Sequence, residues 1–251
     1  MRLLFVGDTH GAVDLDKLRQ ILPQAQLTPR DALIHCGDFG APWAAEDDEA
    51  LRWWRALPYK KIICLGNHEN YGWIMRQPIV RRFNCRGWDL GGGLFAPFAG
   101  QVAHVGGRRL WFYPGGYSID YMLRQPGRDV FAQELLPLDE AQRAVDRLLN
   151  GPAVDYVLTH DGPRAFILEQ FGFPIGPPRP GYWTHLGLAP GSHAHPALLL
   201  DQLYHRPDKY TRWYFGHHHR DAAQGKLRCL WQQAVLEDTR TGSVEVLMLP
   251  A

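Results

Sequence analysis

Five short polar clusters punctuate the chain: Gly7-Asp8-Thr9-His10-Gly11, Gly37-Asp38-Phe39-Gly40, Gly66-Asn67-His68-Glu69, Thr159-His160-Asp161-Gly162 and Gly216-His217-His218-His219. Among other groups they offer carboxylates at Asp8 and Asp38, the Asn67 amide, and imidazoles at His10, His68, His160, His217 and His219. A mixed oxygen and nitrogen donor set suits manganese, iron, zinc or nickel better than a thiolate site or an all-oxygen calcium cage would. One Gly-Asp turn or one strand-end histidine is commonplace and usually structural. Five clusters in series, each following an apolar run, point to loops that converge on one site. At a strand end, positions i and i+2 point the same way, which predicts that Asp8 shares a side with His10, and His217 with His219. The neighbouring glycines permit tight turns and close approach of backbone to a ligand.

Such clusters need strands in front of them. Leu3–Val6, Ala32–His35, Lys61–Leu65, Tyr156–Leu158 and Arg212–Phe215 are short apolar runs bounded by turn residues, the pattern of buried strands. Helical stripes fall between them. Leu15, Leu18 and Leu22 follow Asp14, a candidate N-cap, and Ala50, Trp54 and Leu57 mark a second stripe. Ala141, Val145, Leu148 and Leu149 form a third, opened by Asp139 and closed at Asn150-Gly151. Leu199, Leu200 and Leu203 form a fourth, with Ser192 before it and Pro196 in its first turn. Gln101–Val105 and Arg108–Tyr113 read as a hairpin across Gly106-Gly107, and Gly225–Leu249 as consecutive strands turning near Thr241-Gly242. This alternation predicts an α/β architecture with paired mixed sheets, in one domain spanning residues 1–251. Residues 161–192 are dense in glycine and proline and include Phe171, Phe173, Tyr182 and Trp183. They read as a long loop forming an ordered lid, whose aromatics would be able to stack a base.

The five clusters, in this order, resemble the motifs of the calcineurin-like metallophosphoesterase family, over residues 7–219. The segment Gly115-Gly116-Tyr117-Ser118-Ile119-Asp120 and Arg124 are similar to a stretch common in small bacterial members. The resemblance implies two facing mixed β-sheets flanked by helices, a four-layer sandwich with the site at strand C-termini. It implies a first metal held by Asp8, His10, Asp38 and His219, and a second by Asp38, Asn67, His160 and His217. Asp38 would bridge the two ions, manganese being the first choice. His68 would face the substrate, stabilise phosphoryl charge and protonate the leaving oxygen. Two cations about 3.5–4 Å apart lower the pKa of a bridging water and clamp phosphoryl oxygens for in-line displacement. The chain departs from the family in carrying Ala41 and Glu69 where aspartates are frequent, and Glu69 is expected to orient His68 from behind. Cys36-Gly37-Asp38-Phe39 and Gly66-Asn67-His68-Glu69 also resemble RNA lariat debranching enzymes, a pointer to phosphodiesters, although those typically lack the Asp8 equivalent.

Arg124 and His185 are candidate substrate contacts, since guanidinium matches phosphate and His185 lies in the lid segment. Nucleotides, nucleic acid and phosphoproteins all fit as phosphoester substrates. A net charge of +1 gives no bulk attraction to nucleic acid or membrane. Four scattered cysteines argue against a disulfide scaffold or zinc ribbon. No apolar stretch reaches the ~20 residues of a membrane-spanning helix, so the expected compartment is the cytoplasm, with no membrane partner. A non-catalytic metal-binding scaffold of the same fold is the alternative, and it would predict missing ligands, whereas every expected position is filled.

Overall fold

The first strand already separates two layers. In β1 (Arg2–Val6), Leu3 and Phe5 point to one face and Leu4 and Val6 to the other, and all four are buried. A strand apolar on both faces belongs inside a sheet covered on both sides. The computed structural model, which describes residues 1–43 and 48–249, places it there.

The chain builds one sheet from β1, β2 (Ala32–His35), β3 (Lys60–Ile63), β4 (Ile79–Arg82), β5 (Cys85–Gly91) and β6 (Leu94–Pro97). It then builds a second from β7 (Val102–Val105), β8 (Arg108–Tyr113), β9 (Val154–Thr159), β10 (Tyr210–Phe215), β11 (Ala222–Gln224) and β12 (Leu227–Cys229). Finally β13 (Gln233–Asp238) and β14 (Val244–Met248) return to the first sheet. The strand orders are β14-β13-β1-β2-β3-β6-β5-β4 and β11-β12-β10-β9-β8-β7. In both sheets the middle strands run parallel and the edges antiparallel, so both are mixed.

Between the sheets, Leu3, Phe5, Ile34 and Ile62 meet Leu110, Phe112, Tyr156 and Tyr214. The outer face of the first sheet is covered by α1 (Leu15–Ala25) and α2 (Glu49–Ala56), through Leu18, Ile21, Leu51 and Trp54, with the single-turn α3 (Tyr71–Ile74) beside them. The outer face of the second is covered by α4 (Leu138–Asn150), by α5 (Arg164–Phe171) and, beyond α6 (Pro180–His185), by α7 (Pro196–Tyr204). The result is the expected four-layer sandwich. Among the described residues no helix is long and apolar enough to cross a membrane.

Local departures have local causes. Asp14 sits at the N-cap of α1 but makes no capping bond, because its carboxylate accepts from His10 Nδ1 at 2.7 Å. Asp139 lies inside α4, paired with Arg143, and Pro137 is the N-cap. The cap of α7 is the His195 ring, with Pro196 in the first turn as expected. The long loop expected over residues 161–192 is corrected: it holds α5 and α6. Gly172, at φ 71°, closes α5, and Pro180 opens α6. The antiparallel β4–β5–β6 meander was not anticipated.

Candidate metal centre

The five clusters follow β1, β2, β3, β9 and β10, and backbone bonds lock the loops together. The Asp8 amide donates to the Gly37 carbonyl at 3.0 Å, and the Gly216 amide to the His160 carbonyl at 2.9 Å. Convergence does not come from strand alternation, which corrects the expectation above. Asp8, His10, Asp38, His217 and His219 lie beyond their strands with φ of 54°, 46°, 52°, 71° and 47°. Left-handed backbone at non-glycine residues costs roughly 1–2 kcal/mol each, and aspartate and histidine tolerate it better than most. Such strain gathers at functional sites because the surrounding structure enforces it.

Two donor groups result. Asp8, His10, Asp38 and His219 form one, and Asp38, His160 and His217 the other, each with ligand atoms within 4.8 Å of one another. Asn67 joins the second, its Oδ1 2.9 Å from His160 Nε2. His217 and His219 therefore converge on one site but on different groups. Asp38 belongs to both: Oδ2 lies 3.2 Å from His10 Nε2 and Oδ1 3.1 Å from His160 Nε2.

The donors fit divalent ions. Asp8 and Asp38 are fully buried carboxylates facing imidazoles, a costly arrangement unless cations balance it. The outer ring nitrogens of His10 and His160 are already committed, donating to Asp14 and to the Cys36 carbonyl at 2.7 and 2.9 Å. That leaves Nε2 of each directed inward, a pattern typical of metal-ligating histidines. Burial pushes His217 well below the ordinary imidazole range and His219 to about 4, favouring the neutral form that binds metal. Burial raises Asp8. At His160 burial works the other way, but the Asp38 and Asp8 charges outweigh it and hold the ring up at about 10.

Glycines make room for these contacts. A side chain at Gly66 would come within 2.3 Å of Asp38 Oδ1, and one at Gly116 within 2.8 Å of Asn67 Oδ1.

Around the donors lies a supporting layer. Glu69 does not orient His68, which corrects that expectation. Its Oε1 accepts the Phe39 and Gly66 amides and its Oε2 the Gly40 amide, all at 2.9 Å, stapling the Asp38 loop to the Asn67 loop. Burial and the Asp38 charge push Glu69 up to about 7, while the three amides favour its ionised form. Asn67 Nδ2 donates to Ser118 Oγ at 3.0 Å, and Ser118 Oγ to Glu134 Oε2 at 2.6 Å, which fixes the amide with its oxygen inward. His218 turns outward onto Asp161, 2.9 Å away. No motif or spacing singled out Glu134, and Ser118 stood only inside a noted segment.

His68 lies edge-on to His10, ring centroids 5.2 Å apart, and the Arg124 guanidinium rests against its ring nitrogens. Asp120 holds Arg124 at 2.9 Å, and His185 Nε2 donates to the Arg124 carbonyl at 2.9 Å. His185 thus stands behind Arg124. The lid aromatics Tyr182 and Trp183 are buried in a satellite cluster with Tyr117 and Tyr121, so they present no free face for stacking.

The calcineurin-like phosphoesterase family model matches residues 1–221 of this chain. Among solved structures, the protein TT1561 of Thermus thermophilus superposes with a TM-score of 0.56 at 12% identity, covering 99% of each chain. A second crystal structure gives 0.55 at 11% identity, with 99% of both chains covered. A structure described as a novel archaeal phosphodiesterase gives 0.44 at 11% identity, over 99% of this chain and 100% of that one. At these identities the first two speak to fold alone. No curated protein matches.

Proposed function

The chain belongs to the calcineurin-like phosphoesterase family, and from that premise we propose that it hydrolyses a phosphodiester or phosphomonoester at a centre of two divalent metal ions, manganese by preference. The observation that carries this reading is Asp38. It is buried, and among the described residues it is the one side chain common to both donor groups, with one oxygen turned toward each. A carboxylate so placed is suited to bridge two cations. Asp8, His10 and His219 would complete the first site, and Asn67, His160 and His217 the second. When bound, the ions would supply Lewis acidity and a water of lowered pKa.

The protein's own contribution is positioning and charge. His68 and Arg124 stand together at the mouth of the centre, where a guanidinium and an imidazole can hold phosphoryl oxygens and stabilise charge that develops on them. Burial, helped by the Arg124 charge, holds His68 down at about 4, so it would act as a neutral imidazole whose N–H stabilises charge on the leaving oxygen. Asp120 and His185 hold Arg124 in place for that task.

The test uses metal-stripped protein, a nitrophenyl phosphodiester and a nitrophenyl monoester, with and without Mn²⁺, beside Asp38→Asn. Mn²⁺-dependent nitrophenol release, reduced at least 10³-fold in the variant (an order-of-magnitude expectation for loss of a metal-binding group), is expected. Folded, metal-loaded protein that releases nothing with manganese, iron, zinc or nickel would overturn the reading.

A further inference from the structure

Beside the metal centre, on the His10 and His219 side, lies a cavity of about 460 Å³. His10, His68 and His219 form its inner end, and Val13, Trp43 and Trp231 form its walls. A phosphoryl group alone does not need such a space, whereas small-molecule sites occupy about 300–1,000 Å³.

The walls are unusual for the rim of a polar site. Val13 is 82% exposed and Trp43 39%, so both present apolar surface to solvent. Trp231 is fixed in advance. Its ring stacks on His219 at 4.3 Å and 15°, the Lys17 ammonium lies 4.3 Å from its centroid, and its backbone amide donates to Asp221 at 2.8 Å. An ordered aromatic wall lowers the entropic cost of binding a flat group. Charge narrows the choice further. Among the described residues no lysine or arginine lines the cavity, and Asp14 does, so it offers nothing to a second phosphate. The lining favours an uncharged, flat group.

We propose that this cavity is a subsite for an aromatic ester arm of the substrate, of which a nucleoside base is the fitting biological kind. The inference rests on the phosphoester reading and selects, within it, nucleotides and nucleotide-like diesters over sugar phosphates and other phosphoesters of aliphatic hydroxyls. Trp43 supplies the face on which the ring packs, and Trp231 the wall that sets its depth.

Two measurements on the full, Mn²⁺-loaded chain test this. In the first, the nitrophenyl ester of thymidine 5′-phosphate and methyl nitrophenyl phosphate are compared. Both reactions break the bond from phosphorus to nitrophenolate and form one to water oxygen, so they differ only in the retained arm. The nucleoside ester is expected to be preferred in kcat/KM by about tenfold or more, the scale of one base stacked on an aromatic ring. Trp43→Ala should abolish that preference and Trp43→Phe should keep most of it. Equal use of both esters by the parent, or an unchanged preference in Trp43→Ala, would overturn the subsite. The second measurement is calorimetric binding of adenosine 5′-monophosphate against ribose 5-phosphate. If neither ester is hydrolysed, the hydrolase reading fails, and the subsite is then decided here: it survives only if the nucleotide binds at least about tenfold tighter and Trp43→Ala removes the difference.

Discussion

Replacing Glu69 by glutamine separates two roles for that carboxylate. In the native protein Oε1 accepts the Phe39 and Gly66 amides and Oε2 the Gly40 amide, and the side chain is 1% exposed. Glutamine can keep its oxygen on the first pair, but its NH₂ then faces the Gly40 N–H, donor against donor. One orphaned buried amide costs about 1–3 kcal/mol, and turning two charge-assisted bonds into neutral ones costs about 0.5–1.5 kcal/mol each. The total is roughly 2–6 kcal/mol. For a chain of this length 1 kcal/mol corresponds to about 2–4 °C, so Tm should fall by roughly 4–24 °C. The assay is thermal unfolding of metal-free protein at pH 8, where Glu69, raised to about 7, is ionised. Burial of that charge beside Asp38 already costs the parent some stability, which glutamine relieves, so the fall belongs at the lower end of the range. Mn²⁺ affinity, measured by calorimetry, should fall as well, because Gly66 packs against Asp38. Suppose instead that Glu69→Gln melts within about 1 °C of the parent yet loses turnover about 10³-fold, the scale of a lost catalytic group. Then the carboxylate acts on the reaction, and the staple argument is wrong.

Two further predictions concern residues remote from the reacting groups. Ser118→Ala removes the hydroxyl that links Asn67 to Glu134, freeing the amide to turn. Calorimetry should show affinity for the second ion falling by about 10–100-fold with the first little changed, and two unaltered sites would refute the link. Asp31 is a stability element. Burial opposes its charge, but the Arg2 and Thr28 amides, the Thr28 hydroxyl and the Arg2 guanidinium outweigh it and hold the carboxyl at about 2, against 3.8. Because the folded value lies below the unfolded one, the stabilisation is present above pH 3.8 and lost as pH falls through about 2. Asp31→Asn should cost about 1–2 kcal/mol in urea unfolding at pH 7. That difference should shrink between pH 4 and pH 2, and a gap independent of pH would mean that the charge is not the cause.

The parts of the site legible in the sequence are those where only one kind of atom will serve. The side chains able to serve as metal donors are few, so the candidates Asp8, His10, Asp38, Asn67, His160, His217 and His219 stand out wherever they fall. Likewise, strands buried on both faces, such as Leu3–Val6 and Ala32–His35, announce themselves as unbroken apolar runs. The way the donors meet did not announce itself. Alternation in extended backbone was the available rule, yet the chain turns most of its donors inward through positive φ, which no residue but glycine advertises. Composition misled over residues 161–192 for a related reason. Proline at the start and glycine at the end of a helix are the same letters that mark a loop, and α5 and α6 are too short for periodicity to decide between them. The β4–β6 meander escaped because β4 is half-exposed on an edge and carries arginines, and β5 contains glycines, so neither offers an apolar run.

Glu69 shows a deeper limit of local reading. Its neighbour in sequence is His68, but its partners are backbone amides, two of them some 30 residues away, and every residue except proline carries such an amide. Ser118 and Glu134 act on Asn67 across comparable separations, and neither belongs to a recurring cluster. The same logic applies to selectivity. Trp43, Trp231 and Arg124 reach the centre from three loops that share no motif, and none is a donor to either group. Substituting them would leave both donor groups intact. On the proposed reading, the chemistry of this chain is written in its clusters, and its choice of substrate in the residues between them.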